Sequence, residues 1–430
     1  MNIVKIALAG GTALTLSMTM AIADGNNAYL EQTQSGNGTN SALIIQSGNN
    51  NDAGSASSKL KQKVATSGNP IAAVRNNVLE IRQGGNNNDI GLNGFSQLAE
   101  SLPSSGGNSA SITQNSNNNV VGKVTQKDRF GGAVGASGNT LTILQATGDD
   151  NVINEVLQDK HKGGSGNVAD ITMTGTSNTI ASVMQAVTGG KAGNTMDVTI
   201  SGNNNGRGAL SGSAAASGAT TSTLKQGFAN VNNGTALKGD NSLTLVISGA
   251  GNQFGVTQQG FSNTVGTLDI SGANNQLGAQ QDGSLNVMTV AAITGNDNNI
   301  GVKQVSISNT AGVTVTGNMN AFLVSQNGVS NDASVTVNGN NNGEGQSFTG
   351  FAATLGLSSG LFEQMGDDNG LTFTATGNMN AFATEQSGSN NTINGSQNGN
   401  SNQVAVLQVG STNLASFSQS GNGNNAAISQ

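Results

Sequence analysis

Four residue types recur at a spacing of eleven along the last part of the chain, and this recurrence constrains the fold more than any other feature. Counting back from Gln430, the positions Gln419, Gln408, Gln397, Gln386, Ala375 and Gln364 fall eleven apart. Glycine stands two places after each start, at Gly366, Gly377, Gly388, Gly399, Gly410 and Gly421. Asparagine stands five places after, at Asn369, Asn380, Asn391, Asn402, Asn413 and Asn424. Six matches in register mark a true internal repeat. An insertion at 343–359 interrupts it. Before that insertion Val337, Gln326, Val315 and Gln304 resume the spacing, and with single-residue slips it runs on through Ile293, Gln281, Ile270, Gln258 and Ile247. Gln alternates there with a β-branched residue, so the structural unit is two steps, about 22 residues.

Upstream of about 240 the motif persists in pieces. Gln46, Gly48, Asn51 and Ala53 carry it once; Gln83, Gly85, Asn88 and Ile90 carry it again; Met173, Gly175, Asn178, Ile180 and Met184 form a third. Irregular insertions near 54–76, 98–110, 127–139, 159–168, 186–195 and 206–222 separate the pieces. Pro70 and Pro103 fall inside them, where proline breaks no strand ladder. The reading is therefore a leader over 1–23, an insertion-rich repeat region over 24–240 and a regular one over 241–430.

The residues before each start alternate. Phe322, Val324 and Gln326 share one face and Leu323 and Ser325 the other; Ala333-Val335-Val337, Phe254-Val256-Gln258 and Ala415-Phe417-Gln419 repeat the scheme. A period of two marks half-buried strands. Dense Gly, Asn, Ser and Thr disfavour helix. Each eleven-residue step reads as a strand of about five residues and a turn of about six, with Gly supplying positive backbone angles and Asn able to tolerate them and also to bond the backbone locally. One strand–turn–strand–turn coil cannot stand alone, because its few inward side chains do not offset the ordering of its backbone. Stacked coils can, since every N–H and C=O then finds a neighbour and equivalent amides form ladders. An inward Gln is tolerable only when so stacked. The expected fold is all-β: a solenoid of stacked coils of about 22 residues, with two facing parallel sheets and cross-β spacing.

The string Gln-x-Gly-x-x-Asn-x-Ala-x-x-x-Gln resembles the curlin repeat of curli-type bacterial amyloid fibres. Gln408 to Gln419 and Gln419 to Gln430 match it at every defined position; Gln397 to Gln408 departs only at Val404 and Gln386 to Gln397 only at Ile393. The resemblance covers 364–430 well, 243–342 fairly and 24–240 in fragments. It implies a subunit that crosses the outer membrane through export machinery and self-assembles, or co-assembles with similar subunits, into fibres on the surface of a Gram-negative-type bacterium. Such fibres serve adhesion and biofilm matrix. It also implies that Gln258, Gln281, Gln304, Gln326, Gln364, Gln386, Gln397, Gln408, Gln419 and Gln430 are ladder residues, together with the six Asn named above. The chain departs from the pattern in its length, in replacing many Gln by Ile or Val, and in its insertions. The alternative is a monomeric secreted or surface solenoid adhesin that binds through those insertions.

Composition narrows the chemistry. The chain has 430 residues, 63 Gly, no Cys, one His and a net charge of −7. Without a basic run, nucleic acid and anionic membrane surfaces are poor partners. No Cys and the lone His161, expected in a solvent-exposed loop, leave no nucleophilic triad, multi-His metal site or cofactor box. Asp149-Asp150 and Asp367-Asp368 read as solvated turns rather than calcium ligands. Thr314/Thr316 and Thr372/Thr374 do not recur on every coil, as a flat ice-binding face requires. No reaction is nominated, so no enzyme is expected. The segment "MNIVKIALAGGTALTLSMTMAIA" has Lys5, an apolar run and Ala21-Ile22-Ala23 before Asp24, which reads as a secretory signal peptide. No other stretch approaches a membrane span, so the mature chain is expected to carry none.

Overall fold

The computed structural model describes residues 3–9, 14–20, 24–34, 38–65, 76–100, 106–129, 137–161, 164–227 and 239–430. They form two compact units, 1–204 with 224–242, and 205–223 with 243–430. Each unit is a β-solenoid: strands alternate between two parallel sheets, and each pairs in register with the strand one coil earlier and one coil later.

In the second unit the coils are regular. Asn299–Ile307 pairs with Ala321–Val329, and Ala381–Ser389 with Gln403–Ser411, in one sheet. Thr310–Thr316 pairs with Asp332–Asn338, and Thr392–Asn398 with Leu414–Ser420, in the other. The strands are longer than the five residues expected: Ala381–Ser389 has 9 and Thr392–Asn398 has 7. The cause is that pairing continues into the turns. The amide of Gly399 donates to Thr376 O at 2.9 Å and that of Ser401 to Asn378 O at 2.9 Å. A turn thus stacks on a turn as a strand does on a strand.

In the first unit the same ladder runs through what the sequence shows as fragments. Val120–Arg129 pairs with Val152–His161, which pairs with Thr179–Thr188. Ser109–Gln114, Thr140–Thr147, Val168–Thr174 and Thr195–Ile200 form the facing sheet. Strand structure enters several expected insertions, as at Leu60–Ala65 and Val152–His161. His161 is therefore not a loop residue. It ends a strand in register with Arg129 and Thr188 and is half-buried. Pro70, Pro103 and the cleavage motif at 21–23 lie outside the described residues. In the leader, Ile3–Ala9 pairs with Asn27–Thr33 and Leu14–Met20 with Asn40–Gln46.

Between the sheets lies a narrow core of the inward residues. In the second unit it is richest where Phe322, Phe362, Phe373 and Phe382 meet: the 362–382 and 373–382 ring centroids are 5.1 and 4.9 Å apart. Phe373 and Phe417 flank Gly395 in one register column. A Cβ at Gly395 would lie 2.2 Å from Phe417 Cζ, so a side chain there would force that ring to shift.

Candidate functional site

The repeated residues build continuous ladders of side-chain amides along the stacking direction. In the second unit Nε2 of each Gln donates to Oε1 of the Gln one coil later: Gln258 to Gln281 at 2.9 Å, Gln281 to Gln304 at 2.8 Å, Gln304 to Gln326 at 2.9 Å. The chain continues from Gln326 to Gln364 at 2.8 Å, Gln364 to Gln386 at 2.9 Å, Gln386 to Gln408 at 3.1 Å and Gln408 to Gln430 at 2.8 Å. Each NH2 carries two hydrogens. The second one reaches a backbone carbonyl of the facing sheet, as from Gln386 to Gly370 O at 3.1 Å and from Gln408 to Thr392 O at 3.2 Å. The ladder is polar, always donating toward the C-terminal coil, and it clasps the two sheets together. Gln397 and Gln419 form a second, shorter ladder at 2.9 Å on the facing sheet. That column holds Ile247, Ile270, Ile293, Val315, Val337 and Ala375 in earlier coils.

The asparagines form two more ladders at the turns. The amide N–H of Asn391 donates to Asn369 Oδ1 at 3.1 Å, that of Asn413 to Asn391 Oδ1 at 3.0 Å, that of Asn402 to Asn380 Oδ1 at 2.9 Å and that of Asn424 to Asn402 Oδ1 at 3.0 Å. Their Nδ2 atoms donate to the carbonyls of the turn glycines one coil on: Asn369 to Gly388 O, Asn391 to Gly410 O and Asn402 to Gly421 O, each at 2.9 Å, and Asn380 to Gly399 O at 3.0 Å. Net, such bonds contribute roughly 1 kcal/mol each, but a buried amide left without them costs about 1–3 kcal/mol.

All six turn glycines have positive φ: 103° at Gly366, 116° at Gly377, 123° at Gly388, 125° at Gly399, 110° at Gly410 and 97° at Gly421. A Cβ at Gly388 would lie 1.8 Å from Gly410 O, so stacking as well as φ excludes any side chain. The ladder asparagines bond the backbone as expected but do not themselves take the positive angle. The second positive-φ residue of each turn is the one before them: Asp368, Met379, Asn390, Ser401 and Thr412 lie at 55–62°. Asn is selected for its four-way hydrogen bonding, not for backbone tolerance.

The first unit holds ladders that the spacing did not reveal. Gln32, Gln62, Gln97, Gln126, Gln158, Gln185 and Gln226 join in one column at 2.6–2.9 Å. Gln46, Gln83, Gln114 and Gln145 join in the other at 2.8–3.0 Å. The readable signal was an apolar residue two before each Gln. Charged residues also stack. The buried Lys160 and Asp128 lie 3.3 Å apart, with Lys160 Nζ donating to Ser137 O at 2.9 Å. Burial pushes the Asp159 carboxyl up, opposed by Arg129, Lys127 and His161. Asp149 and Asp367, considered as calcium ligands, instead accept the amide N–H of Asn117 at 2.8 Å and of Val329 at 2.9 Å.

Two insertions become straps. Residues 206–222 leave the coil, run forward across three strands and return. Ser211 N donates to Gln276 Oε1 at 2.7 Å, Ala214 N to Asn299 Oδ1 at 2.7 Å, and Asn299 Nδ2 to Ser211 O at 3.0 Å. Residues 343–359 repeat this contact for contact: Thr349 N donates to Gln403 Oε1 at 2.6 Å, Ala352 N to Asn425 Oδ1 at 2.8 Å, and Asn425 Nδ2 to Thr349 O at 2.6 Å. Their short helices are Gly212–Ala216 and Gly350–Ala353. The first strap seats on Gly255, Gly278 and Gly301, where a Cβ would come within 1.9–2.3 Å of strap backbone.

Among the described residues no helix is long and apolar enough to cross a membrane. No curated protein matches the chain. The family model of the curlin associated repeat matches residues 399–430, a stretch that holds Gln408, Gln419 and Gln430 of the ladders with the turn residues Gly410, Asn413, Gly421 and Asn424. Residues 399–430 thus carry the curlin associated repeat, folded as stacked coils of a β-solenoid.

Proposed function

We propose that the protein is a secreted, non-catalytic structural subunit of a curli-like extracellular fibre serving adhesion and biofilm matrix. In this reading residues 1–23 are a signal peptide removed before Asp24, and outer-membrane export machinery delivers the remainder to the cell surface. The observation that carries it is the stack of in-register coils joined by unbroken Gln ladders, in a chain whose residues 399–430 match the curlin associated repeat. Parallel in-register strands with ladders of identical amides are the cross-β arrangement that strands of further copies can extend.

Sedimentation of leader-free chain diluted from denaturant tests this. The expected result is a pelletable fraction that appears above a critical concentration and grows linearly beyond it. A chain that stays in the supernatant, folded, at every concentration would leave a monomeric adhesin as the better reading, with the straps as its binding elements.

A further inference from the structure

We propose that the outward face of the first unit holds a binding trough for an acidic polysaccharide, built by Lys59, Lys61, Lys63, Lys123 and Lys127. Such a site serves a monomer and a fibre alike, and it uses none of the amide ladders.

No basic run announces this trough in the sequence; the stacking of coils assembles it. The strands Leu60–Ala65, Phe95–Glu100 and Val120–Arg129 are neighbours in one sheet. Lys61 and Lys63 point outward from the first, with Lys59 just before it. Lys123, Thr125 and Lys127 point outward from the third. The strand between them shows Ser96 and Leu98, after Gly94. Lys61 stands in register with Ser96 and Thr125, and Lys63 with Leu98 and Lys127. Two rows of lysines thus face each other across a strand of shorter side chains. Alternate residues along a strand are about 6.7 Å apart and the two rows about 10 Å apart. Flexible lysine stems let the ammonium groups of both rows reach a ligand lying between them. Charged residues make up only 9% of this acidic chain, so five lysines on one face of three strands are a concentration that composition does not predict.

The floor is open and polar. A recess of about 210 Å³ lies where Lys59, Lys61 and Lys123 surround Gly94 and Ser96. A Cβ at Gly94 would meet nothing within 4 Å. Ser57, Ser58 and Thr125 add hydroxyls to the walls. Lys59 and Lys123 lean toward flanking carboxylates, with Nζ 3.5 Å from Glu31 Oε2 and 2.7 Å from Glu155 Oε1. Exposed pairs of this kind are worth little, and they yield to a ligand that offers several anions on one chain. Lys61 and Lys63 are exposed and, among the described residues, form no ion pair. Asp159, which faces Lys127 and lies 3.6 Å from Arg129, bounds the trough beyond Lys127.

These surroundings select the ligand. Carboxylates or sulfates repeated along a chain answer the lysine rows, and sugar hydroxyls answer the serines and Thr125. Glu31 on one side and Glu155 on the other confine the positive strip to three strands, which disfavours a broad anionic surface such as a lipid bilayer. Single-stranded nucleic acid stacks its bases on exposed rings. Phe95, the ring beneath the trough, is buried in the core and offers no such face.

Leader-free chain captured on a sensor surface, which reads monomer and fibre equally, is exposed to polygalacturonate, dextran sulfate, neutral dextran and polythymidylate. Binding of an acidic polysaccharide is expected, weakening as salt rises, with none of neutral dextran. The tighter of the two acidic polymers tells carboxylate from sulfate. Lys61→Gln combined with Lys63→Gln should weaken binding about ten-fold. Ser96→Glu sets a carboxylate between the lysine rows and should weaken it at least as far. Ser334→Glu, outward-facing in the second unit and equal in net charge, should leave it unchanged. Every substituted side chain faces outward, and an unchanged melting temperature shows the fold intact. Failure of both acidic polymers to bind, binding indifferent to the double lysine change, an equal loss with both Glu variants, or tightest binding of polythymidylate each overturns the proposal. A chain that binds but never polymerises sinks the fibre reading and leaves the trough standing.

Discussion

Two inward columns of the second unit occupy equivalent places in facing sheets and are filled by opposite chemistry. One runs Gln258, Gln281, Gln304, Gln326, Gln364, Gln386, Gln408, Gln430. The other runs through Ile247, Ile270, Ile293, Val315, Val337 and Ala375 before it turns to Gln397 and Gln419. The backbone does not distinguish them, so the site accepts either an unbroken amide ladder or an unbroken apolar stack. What it does not accept is an isolated member of either kind. Gln397 marks the change of type, and its unpartnered Oε1 is the cost of switching.

The largest effect should come from a charge in the amide column. Gln386→Lys places a cation between Gln364 and Gln408, with no carboxylate to pair it. We expect a loss of roughly 3–5 kcal/mol in denaturant unfolding and no assembly; an unfolding midpoint like that of Ser387→Lys, on the outer face, would contradict the assigned facing. Next come single swaps between the columns. Gln304→Leu strands Gln326 Oε1 and Val287 O, and Val315→Gln buries an amide between Ile293 and Val337; each should cost about 1–3 kcal/mol. Converting Ile293, Val315 and Val337 together to Gln should cost less than the sum of the three single changes, because the new amides satisfy one another. Strict additivity would mean that no ladder forms.

A smaller effect lies on the outer faces, where stacking sets like charges side by side. Burial, then Asp52, pushes the Asp89 carboxyl up; burial, then Asp197, does the same to Asp170; burial, then Glu385, raises Glu363 against Lys303. A carboxyl raised on folding contributes stability that is full below its ordinary value near 4 and is lost as pH rises through the higher folded value. The solenoid should therefore melt at higher temperature at pH 4 than at pH 7, and Glu385→Gln should shrink the difference. A melting temperature that falls on acidification would show that other groups dominate. The smallest effect concerns a turn. Met379 is 48% exposed and holds φ at 57°, where Asn390 and Asn341 stand in other turns. Met379→Asn should stabilise by about 0.5 kcal/mol, read as a small rise in unfolding midpoint.

The downstream coil, its facing sheets and its ladders were legible because strand and turn lengths are constant there, so Gln, Gly and Asn keep their spacing. Upstream the ladder is equally continuous, but Gln62, Gln97 and Gln126 are followed by segments of unequal length, and no fixed period links them. Pairing, not spacing, places them in one column. The straps were visible only as interruptions. Their likeness, Ser211-Gly-Ser-Ala-Ala against Thr349-Gly-Phe-Ala-Ala, is too short to stand out. Their seat on Gly255, Gly278 and Gly301 emerges only once the coils are stacked. The role of Asn was half legible: its recurrence pointed to a ladder, but its backbone angle had to be seen.

In the proposed fibre the ladders of one chain continue into the next. Seeded growth followed by electron microscopy tests it most directly. Leader-free chain is incubated with and without sonicated fragments of its own fibres, and with Gln386→Lys chain as a control monomer. Long unbranched fibres that elongate from the fragments without a lag are expected, with no elongation by the control. Short rods of uniform length that ignore the fragments would contradict it, and would make the solenoid a closed molecule rather than a link in a longer one.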